Sequence, residues 1–149
     1  MRVLECSSKG DKRFSAFYAN IVINGKYDCI ENHYQLSKRV NDFKPNKWQD
    51  VKGVKATHFA INGVTVPNKY EEAFYNLMWL KYLDQCPTLV KFARKFDDYH
   101  DMFKENNSRV CQADAIREYI KHGREFMLDK YKEFIEFAKD NNIKDFIIE

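Results

Sequence analysis

The chain has 149 residues, of which 44% are hydrophobic and 32% charged, and it carries a net charge of +3 at pH 7. That length suffices for one buried core and not for two, and no run approaches the roughly 18 apolar residues of a membrane span. So small a positive surplus, with lysines interleaved among acids, gives only weak bulk attraction for nucleic acid. One soluble domain over residues 1–149 with no membrane partner is therefore expected. The opening residues, Met1 to Cys6, include an acid and no sustained apolar stretch, so they read as neither secretory signal nor transit peptide and the expected location is the cytoplasm.

Cys6, Cys29, Cys86 and Cys111 lie too far apart for a zinc-finger spacing, and His33, His58, His100 and His122 form no HxH or HxxxH pair. The cysteines are expected to be reduced thiols, and neither a metal nor a cofactor is called for. Aromatic residues are the unusual feature: 12 Phe, 9 Tyr and 2 Trp make up 15% of the chain. Most should be core, because these rings bury so much area, with a few left to stack on a base.

In chain order, Phe14 to Tyr18 leads into an Ile21-Val22-Ile23 strand, and Asn24-Gly25 is the dipeptide of a tight hairpin before a second strand from Lys26. From Ile30 the spacing turns helical, with Ile30, Tyr34 and Val40 on one side and Glu31 and Gln35 one turn apart. Glu31 and Lys38 are about two turns apart on that helix, which lets both point into one cleft. Thr57 to Val66, with Asn62-Gly63 at its centre, repeats the strand, turn, strand signature. Beyond Pro67 helices are expected over 70–83, from Pro87 to about Phe96, over 112–121 and over 123–139. The fold class is thus α+β, a mainly helical single domain with one or two short β-hairpins in its N-terminal half.

Three segments stand in a telling order: Phe14-Ser15-Ala16-Phe17-Tyr18, then Ile23-Asn24-Gly25-Lys26-Tyr27, then Glu31-Asn32-His33-Tyr34-Gln35-Leu36-Ser37-Lys38. Together they resemble the FLSNFY-like, I-x-GK-x-Y and EHxYQxxK segments of the NADAR family of N-glycosidases. Lys81-Tyr82 with Gln85 and Pro87 is similar to the family's KF-x-Q-x-P stretch, expected on a helix behind the site. The chain lacks the family's WG turn, and the nearest counterpart is Phe96 to Phe103, with its acids and aromatics.

The resemblance implies hydrolysis of an N-glycosidic bond in an ADP-ribose-like or ribosylated-base substrate, including ADP-ribose attached to guanine in nucleic acid. Breaking such a bond builds positive charge on the ribose while the base departs, so a carboxylate is needed near the anomeric carbon and a proton source near the base. Glu31 fits the first task. Lys38 would orient a phosphate or hydroxyl, transfer a proton, or act as a nucleophile. Asp98 and Asp101 would bind ribose hydroxyls or activate water, or else flank a helix start. Lys12 and Arg13 would hold phosphate, Phe14, Phe17 and Tyr34 would stack on the base, and Gln35 would contact substrate. Cys111-Gln112 reads as a buried Cys and a capping Gln at a helix start. Two other classes compete with the enzyme: a non-catalytic module that sequesters an ADP-ribose-type nucleotide, and an interaction protein that reuses the fold.

Overall fold

A computed structural model of the chain describes residues 1–104 and 108–149. The elements in chain order are β1 (Val3–Glu5), β2 (Asn20–Ile23), β3 (Lys26–Cys29), α1 (Ile30–Ser37), β4 (Lys38–Arg39), β5 (His58–Ile61), β6 (Val64–Pro67), α2 (Glu71–Asp84), α3 (Pro87–Ala93), β7 (Asp98–His100), α4 (Gln112–His122), α5 (Arg124–Lys130) and α6 (Lys132–Asp140), an α+β arrangement. Both expected hairpins form. β2 pairs antiparallel with β3 and β5 with β6, and Asn24 (φ 52°), Gly25 (75°), Asn62 (53°) and Gly63 (77°) take the positive φ that a two-residue turn needs to match strand twist.

The structure departs from the sequence expectations in two helices and adds two features that they left open. Lys12–Phe14 is a 3-10 turn capped by Asp11, whose side chain accepts from the Arg13 N–H, so the chain ahead of the first hairpin is a turn. α1 ends at Ser37, whose hydroxyl donates to the Tyr34 carbonyl at 2.7 Å, and Lys38 is already extended (φ −62°, ψ 142°) and pairs with Phe59. Glu31 and Lys38 therefore do not share a helix. The helix expected over 123–139 breaks at Tyr131 (φ −104°, ψ 19°), whose buried hydroxyl reaches Glu118 at 2.6 Å and Asn76 at 2.8 Å. Finally β1 and β7 pair in parallel, Leu4 opposite Tyr99. Three residues each are too few for alternation to show in sequence.

α2 is the axis of the core. From Ala73 to Leu80 every residue is buried, Trp79 and Leu77 completely, and a helix apolar on all sides has to be covered on all sides. Phe74 on α2 meets Phe59 of β5 at 5.7 Å and Phe146 near the C-terminus at 5.5 Å, so one ring contacts both halves of the chain. α1 packs on the same helix, which brings Glu71 and Tyr75 of α2 alongside it. No helix among the described residues is long and apolar enough to cross a membrane.

The β1–β7 pair is clipped by Glu5. Its carboxylate accepts from the Ser7 N–H at 3.2 Å and the Met102 N–H at 3.0 Å, and meets His100 Nδ1 at 2.7 Å. Burial works against the charge, but these bonds outweigh it and hold the carboxyl down to about 2 from 4.5. A carboxyl depressed in the folded state contributes stability above its unfolded pKa and loses it as pH falls toward the folded one. Glu5→Gln should thus cost about 1–2 kcal/mol near neutrality, discounted for partial exposure, and the gap should narrow from about pH 5 downward. Urea melts of both proteins across that range check this, and a gap independent of pH contradicts it.

Candidate functional site

Helix α1 carries the site because of how its first turn is tied down. The Ile30 and Glu31 N–H groups donate to the Ala19 and Ala16 carbonyls at 2.9 and 3.0 Å, and the Cys29 sulfur accepts from the Asn32 N–H. Glu31 in that first turn suits the positive end of the helix dipole. It is only 6% exposed. Its Oε2 accepts from Gln35 Nε2 at 3.2 Å and lies 3.6 Å from Lys52 Nζ. One turn on, the Tyr34 hydroxyl donates to Glu71 Oε2 at 2.8 Å, and its ring meets Tyr75 edge-on at 5.2 Å. Burial first and the Glu71 charge second push the Tyr34 phenol far above its ordinary pKa, so it stays a donor to that carboxylate.

Lys38, just past the helix end, is 3% exposed. Its ammonium donates to the carbonyls of Val51 at 3.2 Å and Val54 at 2.9 Å, and sits 4.9 Å from the centre of the Tyr34 ring. Burial lowers its pKa, opposed by the charges of Glu71 and Glu31. These two hydrogen bonds clip the segment between β4 and β5 across the end of α1. That segment brings Trp48 edge-on to Phe17 at 5.2 Å and Lys52 to 5.9 Å from the Phe17 ring centre. On the other side, Arg109 reaches Glu71 Oε1 at 3.8 Å. The assembled site has two buried carboxylates, one buried amine, a wall made by Phe17 and Trp48, and half-exposed cations at Lys52 and Arg109.

Of the residues expected from sequence, Glu31, Tyr34, Gln35 and Lys38 come together, with Phe17 beside them. Asp101 is linked at one remove: Gln112 Oε1 accepts from the Ala16 N–H at 2.7 Å, and Gln112 Nε2 donates to Asp101 Oδ2 at 2.9 Å. Gln112 is therefore a bridge between the Ala16 turn and Asp101 and makes no helix cap. Asp98 is turned away, accepting from Arg117 Nε at 2.8 Å and from the Tyr99 N–H. Phe14 is fully buried and stacks on Phe92 at 6.2 Å, so its ring is core and offers a base no surface. Arg13 is paired to Asp11 at 2.6 Å and lies over Phe92, while Lys12 lies over Tyr18. Neither is brought to the carboxylates.

Sequence reading missed Glu71, Tyr75, Lys52, Trp48 and Arg109. Glu71 opens a long apolar helix, where an acid ordinarily serves the dipole, and only the α1–α2 packing turns it to Tyr34. Lys52 and Trp48 sit in an aperiodic segment with no spacing to mark them. Two cavities, of about 200 and 220 Å³, flank this cluster: one on the far side of α1, and one lined by Glu72, Glu118 and the same Arg109 that reaches Glu71. Among the described residues no group of three or more His, Cys, Asp or Glu is placed to hold a metal ion.

Lys38→Met keeps the aliphatic stem and removes both bonds to the Val51 and Val54 carbonyls. Hydrogen bonds from charged donors contribute about 1.5–3 kcal/mol each, less the cost of burying the ammonium. The variant should melt earlier, and trypsin should cut after Lys47, Lys52 or Lys55 several-fold faster than in the parent protein. Unchanged cleavage in this segment contradicts the clip. Compared with known proteins, the chain matches no family model and no curated protein.

Proposed function

We propose that the protein is an N-glycosidase acting on an ADP-ribose-like or ribosylated-base nucleotide. The observation that carries this reading is Glu31: a carboxylate nearly withdrawn from solvent, oriented by Gln35 and overlain by an exposed lysine beside two aromatic rings. In a site poor in water a fixed negative charge stabilises a cationic ribose more than it would in bulk. Glu31 would face the anomeric carbon while the base lies against Phe17 and Trp48. Hydrolysis adds water across the C1′–N bond: hydroxide goes to the sugar carbon and a proton to the departing base nitrogen. Lys52, 53% exposed at its side chain, is free to leave Glu31 and supply that proton or hold a phosphate. Glu71 and Tyr34 form a second hydrogen-bonding pair for the ribose hydroxyls.

One observation favours a second reading. The Lys38 amine is already engaged by two main-chain carbonyls, so the lysine that the resemblance would make reactive is held as a structural cation. A nucleotide-binding module that releases no product needs the same rings and charges but no free amine.

Incubation with ADP-ribosylated DNA and with a ribosylaminopyrimidine phosphate, followed by chromatography of the released sugar phosphate, separates the two. The enzyme reading expects release with both ends of the bond recovered, and a loss of about 100-fold or more for Glu31→Gln at nearly unchanged ligand affinity. Binding without release supports the module. If neither substrate binds, both readings fail.

A further inference from the structure

The far side of α1 carries a feature unrelated to the glycosidase chemistry. Between the two hairpins, over residues of α1 that point away from Glu31, lies a cleft of about 200 Å³ with an apolar floor that includes Ile23, Leu36 and Phe74. Three of the polar side chains around it, Ser37, Asn32 and His33, have given a donor to the protein itself. Ser37 gives its hydroxyl proton to the Tyr34 carbonyl. Asn32 donates its amide to Asp28 Oδ1 at 3.0 Å, which leaves the Asn32 carbonyl oxygen as an acceptor. His33 Nε2 lies 2.9 Å from the Ile21 carbonyl; a carbonyl only accepts, so Nε2 carries the proton and Nδ1 of the neutral ring is an acceptor.

Asp28 completes the set. Its Oδ1 accepts from the Cys29 N–H at 2.7 Å as well as from Asn32, and its Oδ2 pairs with the loose, 63% exposed Lys26 at 3.6 Å. The Asp28 carboxylate and the Asn32 and His33 acceptors therefore stand over an apolar floor, and what complements them is a compact group with several N–H donors and positive charge. We infer that this cleft between the hairpins is a second binding site, for a small organic cation of the amine or guanidinium class carried on a short apolar chain. Lys26, the lysine of this cleft, is already paired with Asp28.

The site stands apart from the glycosidase reading and is tested apart from it. Agmatine, which carries a guanidinium and an amine on a four-carbon chain, is titrated into the whole protein while backbone amide shifts are followed by NMR, with inorganic phosphate as the anionic control. Saturable shifts at Asn24, Asn32 and Asn62 are expected with agmatine and not with phosphate. Asp28→Asn keeps both hydrogen bonds accepted by Oδ1 and removes the charge, so it should weaken agmatine by about tenfold. Lys26→Met, at an exposed position that leaves folding intact, removes the competing cation and should tighten it by several-fold. Glu31→Gln should leave the agmatine affinity unchanged. No saturable agmatine binding, binding indifferent to Asp28 and Lys26, or phosphate binding at the same amides overturns the inference.

Discussion

A buried ammonium that has no carboxylate in ion-pair contact among the described residues sets the terms for this structure. Lys38 is nearly excluded from water, and among the described residues its partners are the Val51 and Val54 carbonyls and the Tyr34 ring face. Burying a charge costs several kcal/mol unless hydrogen bonds and nearby opposite charges offset it. Here the carbonyls supply the first, and Glu31 and Glu71, each buried a short distance away, supply the second. The three groups are mutually dependent. Remove the lysine and two carboxylates face each other across Tyr34 with only half-exposed cations to balance them. Release the segment it holds and Trp48 and Lys52 lose their positions over Phe17 and Glu31.

α1 makes this possible by having two different faces. Glu31, Tyr34 and Gln35 follow the 3.6-residue period toward α2 and the clipped segment, whereas Asn32, His33, Leu36 and Ser37 look the other way into the cleft between the hairpins. The charged side rests on α2, whose all-round burial fixes Glu71 and Tyr75 in register with Tyr34. The other side faces the cleft, whose lining includes Asn24 and Asn62 of the two Asn-Gly turns.

What could be read in the sequence was whatever is decided locally. Asn24-Gly25 and Asn62-Gly63 announce their hairpins because few other dipeptides tolerate that backbone, and the run from Tyr70 to Leu83 announces a helix by length and apolar content. Glu31, Tyr34 and Gln35 could be grouped because one helix places them. Lys38 reached the same cluster by another route. It lies beyond the helix end, where strand pairing with Phe59 turns the chain, and its amine points at a segment thirteen to sixteen residues further on. Glu71 and Arg109 meet only through tertiary packing, and Phe14, which the aromatic pattern offered as a stacking ring, is claimed by Phe92 and the core. None of these outcomes leaves a mark on spacing or composition.

In the proposed function Glu31 faces the anomeric carbon of a bound ribose. A crystal structure of the protein soaked with ADP-ribose tests it without relying on turnover. The claim requires the distal ribose C1″ within about 3–4 Å of a Glu31 oxygen, with Lys52 moved from the carboxylate to a phosphate or hydroxyl. A ribose seated elsewhere, with Lys52 still paired to Glu31 and Phe17 and Trp48 uncovered, contradicts it.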